Sequence, residues 1–342
     1  MVTDGSYSRR AQRAEELAPD MLVLKAVRQR TLLYGENPHQ PAALYADGGV
    51  GFGGAQVVQG KELSFTNLLD LDAAVRLMLE FEEPAAVVVK HMNPCGVATA
   101  TSLSEAYVTA REVDPLSAFG GIVGLNRPVD RDTAIAITST FIEAVVAPAA
   151  DAEARTVFAT KKNLRLVLVD CTSAVPDLRL AREVRSILGA ILVQDYDRVT
   201  EAAAPWGGNA AHPGPELRVV TTRHPTEEEW TALRLAWRVC AHVKSNAVVF
   251  AAADRIAAIG AGQTSRVDAV KVATMKATTD LSGTAAASDA FFPFRDGLDA
   301  IAAAGATAVA QPGGSVRDAE VIGAANEHSI AMVITGRRHF RH

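Results

Sequence analysis

AAVVVK (85–90), GGIVGL (120–125) and LRLVLV (164–169) are three short apolar runs rich in β-branched residues, and alanine-rich stretches of helical character separate them. Runs too short for helices and bounded by turn residues read as strands, and their alternation with helices predicts an α/β fold. The C-terminal half keeps the same rhythm. TEEEWTALRLAWRVCAHVK (226–244) opens with a capping box between Thr226 and Glu229, and Trp230, Leu233, Trp237 and Cys240 recur at helical spacing, which predicts a helix with one buried face. SNAVVFAAADRIAAIGAG (245–262) then reads as strand, turn and strand before a further helix.

Between these regions lies AAAPWGGNAAHPGPE (202–216), dense in Gly and Pro, which breaks helix and strand alike. At 342 residues the chain exceeds a usual domain of roughly 150 residues, so two units are expected. The predicted partition is a polar lead-in over 1–30 with a short strand at Met21 to Leu24, a first domain over 31–200, a linker over 201–224 and a second domain over 225–342.

Composition excludes several classes. With 49% hydrophobic and 21% charged residues the chain has the makeup of a globule. A formal net charge of -5 supplies no basic field for a nucleic-acid backbone, so no nucleic-acid partner is expected. Three dispersed cysteines, Cys95, Cys171 and Cys240, form neither a disulfide framework nor a zinc knuckle, which suits a reducing cytoplasm. No apolar run reaches the roughly 18 residues of a membrane span, and the first twenty residues lack the apolar stretch of a secretory signal. The eight histidines contain no HExxH and Cys95 has no CxxC partner, so no catalytic metal is expected.

Four clusters could carry chemistry. In VVVKHMNPCGVATA (87–100) an apolar strand ends in Lys90 and His91, and Asn-Pro followed by Cys-Gly is expected to force the turn. A histidine there can serve as a base near neutral pH and a lysine as a fixed cation, although an isolated Lys-His pair is more often plain surface. GAGQTSR (260–266) is a Gly-rich strand-to-helix loop able to bind an anion, but it completes neither GxGxxG nor a P-loop, and on its own a tight turn explains it better. SDAFFPFRDG (288–297) and QPGGSVRD (311–318) offer phenylalanines, for which core is the commoner role, and a second Gly-rich loop. The closing TGRRHFRH (335–342) is either a frayed basic tail or a phosphate-gripping arm.

Taken in order, YGENPHQ (34–40), GKELSFTNLLDLDAA (60–74), KHMNPCG (90–96), DPLSAFGGIV (114–123), VKSNAVVFA (243–251), GAGQTSRVDA (260–269) and the last three clusters resemble the AICAR transformylase half of the bifunctional purine-biosynthesis enzyme. The resemblance runs from about Tyr34 to His342. It implies two cytidine-deaminase-like α/β domains without zinc, a cytoplasmic homodimer with shared active sites, and formyl transfer from 10-formyltetrahydrofolate to the 5-amino group of AICAR nucleotide. By the same matching, His91 is the general base, Lys90 the cation facing the oxyanion, and Asn246 the residue that orients the formyl group and the amine. The nucleotide would touch Tyr34, His39, Gly120, Glu143, Arg266, Phe291 and Arg338, and the folate Val267, Asp296, Ser315 and Val316. His342 is a candidate support for His91.

Three departures from the family pattern stand out. Leu33 replaces an arginine expected before Tyr34 to pair with the substrate phosphate. Leu188-Gly189-Ala190 replaces an SGG turn, and Ala149 replaces a glycine. The family's N-terminal cyclohydrolase domain has no counterpart in these residues, so ring closure to IMP is not expected from this chain, and a separate cyclohydrolase is a candidate partner. Two other readings remain at this point: a paralogue that formylates an AICAR-like amine, and a silent assembly domain, which the intact Lys90, His91, Asn246 and Arg266 argue against.

Overall fold

The structure is a computed structural model and describes residues 21–170, 182–207 and 217–342. Most of the expected lead-in, Cys171 and the 208–216 part of the expected linker lie outside these residues. The chain runs β1 (Val27–Thr31), β2 (Ala43–Ala46), β3 (Gln56–Gln59), α1 (Phe65–Met78), β4 (Ala85–Lys90), β5 (Asn93–Thr99), α2 (Leu103–Val113), the short α3 (Pro115–Ala118), β6 (Ile122–Leu125), α4 (Arg131–Thr138), β7 (Ala144–Ala147), α5 (Ala152–Ala159) and β8 (Arg165–Leu168). It continues with β9 (Arg182–Ile187), β10 (Ala190–Asp195), β11 (Arg218–Val219), α6 (Glu227–Cys240), β12 (Val248–Ala251), β13 (Ile256–Gly260), α7 (Arg266–Lys276), β14 (Ala285–Ser288), α8 (Asp296–Ala303), β15 (Ala308–Gln311), α9 (Asp318–Glu327) and β16 (Ala331–Ile334).

The two halves are built on one plan. One six-stranded sheet has the order β3-β8-β7-β6-β4-β5 and the other β11-β16-β15-β14-β12-β13. In each, three central strands are parallel (β6, β7 and β8; β14, β15 and β16), and the remaining pairings are antiparallel. The similar rhythm of the sequence is therefore a repeated topology.

The strands lack an apolar-polar alternation because both faces of each sheet are covered. Along β4, Val87 and Val89 enter one hydrophobic cluster while Ala86 and Val88 enter another. In β12, Val249 and Ala251 face that first cluster, and Val248 and Phe250 pack under α7, α8 and α9. The first cluster is common to both halves. It joins the inner faces of both sheets to α1 and α6, including Leu71, Leu77, Leu233 and Trp237, and takes in Ala202 and Trp206 from the stretch expected to be a linker. Burial of this much apolar side chain is the main term holding the halves together.

Both helices of that inner layer start from capping boxes, Ser64 with Asn67 and Thr226 with Glu229. The second is the one expected from the sequence, and Trp230, Leu233, Trp237 and Cys240 are all buried. Two local expectations are corrected. Residues Met21 to Leu24 form no strand, and the first strand begins at Val27. Asn93, Pro94, Cys95 and Gly96 do not form the turn after β4 but open β5, where Pro94 is tolerated because β5 is an edge strand.

Gly96 in β5 lets a helix lie directly on the strand, since a Cβ there would sit 1.8 Å from the Ala110 carbonyl oxygen of α2. Gly260 in β13 does the same under Ala269 of α7. Replacing Gly96 with Ala should therefore cost about 3 kcal/mol or more in chemical denaturation, as overpacking against backbone does. Gly323→Ala, in α9 and facing open space, should instead stabilise by about 0.5–1 kcal/mol. Equal effects of the two would contradict the packing described.

Candidate active site

The two sheets meet edge to edge. Ala98 of β5 bridges Arg255 in antiparallel sense, and the Thr99 N–H donates to the Asp254 carbonyl. Towards the other ends of these strands the edges open into a cavity of about 280 Å³, lined by Asn93, Pro94 and Cys95 on one side and Ala258, Ile259 and Ala261 on the other. Asp114, Ser117 and Lys276 close its flank, where Lys276 pairs with Asp114 at 2.7 Å and donates to Ser117. Burial pushes the Cys95 thiol up to about 12, so this residue lines the cavity as a neutral group. Lys90 and His91 stand at the cavity wall.

These two residues are presented by a tight hairpin. Lys90 pairs with Asn93, and His91 and Met92 form the turn with φ of 50° and 64°. Positive φ at both central residues is the type I′ geometry, normally filled by Asn and Gly, and it costs side chains about 1–2 kcal/mol each. The turn is held from several sides. Asp70 of α1 accepts the Met92 N–H at 2.6 Å, Asn93 Nδ2 donates to the His91 carbonyl at 3.2 Å, and Met92 packs on the common core.

From Lys90 the contacts run into the first half. Its Nζ donates to the Phe119 carbonyl at 2.7 Å, and a Cβ at Gly120, whose φ is +68°, would lie 3.3 Å from that nitrogen. The backbone of Glu143 donates to Gly121, and its carboxylate pairs with the buried Arg165 at 2.6 Å, which also donates to the Glu62 carbonyl. The Tyr34 carbonyl accepts from the Phe65 N–H at the start of α1, while His39 is exposed in the loop between β1 and β2.

From Asn93 they run into the second half. Asn93 Oδ1 accepts the Lys244 N–H at 3.0 Å, tying the hairpin to the segment before β12. Asn246 donates to the Gln263 and Thr264 carbonyls and accepts from Arg266 at 2.7 Å. Arg266, only 7% exposed, also pairs with Asp289 and donates to Ser288. Asp289 was not singled out in the sequence, yet it is the hub. Its carboxylate accepts from Arg266, Ser245 and the Ala247 N–H, and its carbonyl accepts the His339 N–H of the closing segment.

That closing segment is no frayed tail. His339 is 2% exposed, with Nδ1 2.7 Å from Asp197 and Nε2 2.6 Å from Glu201. Burial alone would lower its pKa, but the two carboxylates outweigh this and push it up to about 9. Arg338 beside it is exposed and lies over the Phe340 ring, 4.3 Å from its centroid. His342 packs on Phe340 and its carbonyl accepts from Arg185; neither contact is with His91.

The loops expected to hold folate follow β13, β14 and β15. Arg317 lies over the Phe294 ring at 4.8 Å and so joins the loop of Asp296 to that of Ser315 and Val316. Asp296 accepts the Gly297 N–H, Ser315 Oγ accepts from Arg317, and Val316 is 102% exposed. Val267 is half-buried in the first turn of α7. Of the three phenylalanines of this cluster, Phe292 is buried, and Phe291 and Phe294 reach the surface. Among the described residues no group of three or more His, Cys, Asp or Glu is placed to hold a metal ion, and no helix is long and apolar enough to cross a membrane.

The two halves thus set opposite ends of their parallel strands at one rim. Gly120, Glu143 and Arg165 precede β6, β7 and β8 or begin them, whereas Asp289, Ser315 and Arg338 follow β14, β15 and β16. A duplicated α/β protein whose halves join edge to edge over a Lys-His hairpin is the class these features define. A family profile described as AICARFT/IMPCHase bienzyme matches residues 4–276, and the chain belongs to that family. It is 54% identical over 338 residues to the bifunctional purine biosynthesis protein PurH of Myxococcus xanthus, covering 96% of this chain and 63% of that protein. The protein of the same name from Rhodospirillum rubrum is 50% identical, with 99% of this chain and 64% of the relative covered. The chain spans about three fifths of the length of the curated relatives it matches.

A raised folded-state pKa at His339 means that its ion pairs contribute fully below 6.5, the ordinary value, and are lost as pH rises towards about 9. The melting temperature should therefore fall between pH 7 and 9.5, and His339→Leu should flatten this fall while lowering stability at pH 6.5 by roughly 3 kcal/mol. A variant with the slope of the parent protein would contradict the clamp.

Proposed function

We propose that this chain transfers the formyl group of 10-formyltetrahydrofolate to the 5-amino group of AICAR nucleotide, giving FAICAR in de novo purine biosynthesis. The observation that carries this reading is the Lys90-His91 hairpin at the cavity between the sheets, in a chain of the AICARFT/IMPCHase family. In this reading His91 takes a proton from the amine as its nitrogen attacks the formyl carbon. Lys90 faces the oxygen that becomes negative, and collapse expels N10 of the folate, which regains a proton. Asn246 orients the formyl group and the amine.

Tyr34, His39, Gly120, Glu143, Arg266, Phe291 and Arg338 are assigned to the nucleotide. Arg266 and Glu143 already hold partners within the chain, so they act in this proposal through the fixed geometry of those pairs. Arg338 is exposed at the rim, in keeping with a phosphate contact. The folate is assigned to Val267, Asp296, Ser315 and Val316, of which Val316 offers a bare apolar surface and Asp296 a carboxylate. We read the two halves as cytidine-deaminase-like domains over 31–200 and 225–342 and the enzyme as cytoplasmic.

A homodimer with shared sites completes the proposal. It is supported by the ribbon of β9 and β10, which among the described residues pair only with each other. Its Val184, Ile187, Ile191 and Leu192 are exposed, with Leu188 103% exposed at the tip. A lone two-stranded ribbon carrying that much apolar side chain is marginal in water without a partner surface. Light scattering should give the dimer mass for the parent chain and the monomer mass for a Leu188→Asp, Ile191→Asp double variant. A monomeric parent chain would sink this part.

Leu33, 47% exposed where the family pattern has arginine, favours a second reading in which the acceptor is a related amine. Tetrahydrofolate release with AICAR nucleotide and 10-formyltetrahydrofolate tests both. Turnover should fall by about 100-fold or more in His91→Ala, the scale of a lost general base. Turnover with another amine but none with AICAR nucleotide would establish the second reading, and no formyl transfer to any amine would overturn both.

A further inference from the structure

The geometry points to Asp70 as the residue that positions the Lys90-His91 pair, by holding the left-handed turn from which both side chains project. This inference rests on the catalytic reading of that pair. Asp70 lies on α1, whose start is fixed by the reciprocal capping box of Ser64 and Asn67 and whose next residue, Leu71, is fully buried. The carboxylate therefore comes from a rigid element. Its Oδ1 accepts the Met92 N–H at 2.6 Å, and the His91 N–H faces the same carboxylate.

The turn needs such an acceptor. His91 and Met92 both adopt positive φ, at 50° and 64°, with neither a glycine nor an asparagine to relieve it. A two-residue turn that disfavours its own residues persists only when its surroundings over-determine it. Asn93 fixes the His91 carbonyl and the side chain of Met92 is packed on the core, which leaves the turn's N–H groups to Asp70. Burial raises the Asp70 pKa, and the Met92 N–H together with the charges of His91 and Lys90 opposes that rise. A half-buried carboxylate carrying a desolvation cost, directed at the backbone of the His91-Met92 turn, is the arrangement expected of a support and not of surface charge.

Asp70 contacts the backbone of the His91-Met92 turn and not the reacting atoms, so its loss should misplace chemistry without removing substrate contacts. In the full chain, Asp70→Ala should lower kcat by about tenfold or more while leaving the nucleotide KM within about twofold. Asp70→Asn, whose amide oxygen can accept the same N–H, should stay within about threefold of the parent kcat. Amide hydrogen exchange at Met92 reads the turn independently of activity: slow in the parent chain and in Asp70→Asn, fast in Asp70→Ala.

Parent-like kcat in Asp70→Ala, or an Asp70→Asn that is folded yet equally impaired, would overturn the inference. So would unchanged Met92 exchange, which holds as a test even if Asp70→Ala is too unstable for kinetics in warm buffer. Should the parent chain transfer no formyl group while Met92 is protected only when residue 70 can accept its N–H, the catalytic reading fails and the account of the turn stands.

Discussion

The contact between the edges of β5 and β13 sets the geometry of everything at the rim. Ala98 and Arg255 bridge at one end of these strands, and the cavity opens at the other. Because β4 and β5 run antiparallel to one another, as do β12 and β13, the Lys90-His91 hairpin and the Lys244-Asn246 segment arrive at the same end. The same constraint explains why two copies of one topology use opposite ends of their parallel strands. The first half contributes residues from the N-terminal ends of its parallel strands, and the second half residues from the C-terminal ends. The hydrophobic cluster around α1 and α6 keeps this relation fixed, since sliding one half on the other would expose Trp237, Leu233 and Leu77.

On that frame, charge holds the loops of the second half. Asp289 is buried and would be costly alone, but it is met by a guanidinium, a hydroxyl and a backbone N–H. Through its carbonyl it also holds the segment of His339, whose imidazolium sits between Asp197 and Glu201. Asn246 and Arg338, far apart in sequence, are both placed by this one residue, the first through its carboxylate and the second through its carbonyl. The polar network thus specifies where loops lie, while the apolar layers supply most of the stability.

How much of this was legible in the sequence depends on the range of the interaction. Strands covered on both faces announce themselves as unbroken apolar runs, so β4, β6 and β8 could be read directly, and the capping box of Thr226 and Glu229 fixed the start of α6. The Asn-Pro and Cys-Gly pairs misled because turn propensity is local. Packing of α2 on Gly96 and the tolerance of an edge strand for Pro94 override it. The true turn, at His91 and Met92, has no turn-forming residue to betray it. Asp289 and His339 were invisible as hubs for another reason. Their partners are up to 142 positions away, and nothing in the local pattern of SDAFFPF or RRHFRH says that either side chain is buried. The lining role of Lys90 and His91 was legible only as a strand end, and it needed the edge of β13 to become a cavity.

The most direct test of the central claim is a crystal structure of the chain with AICAR nucleotide bound. The account predicts the nucleotide at the rim between the sheets, its 5-amino nitrogen about 2.6–3.2 Å from a ring nitrogen of His91, and its phosphate towards Arg338. A nucleotide bound with its amine away from the Lys90-His91 hairpin would contradict the assignment of this rim as the site of formyl transfer.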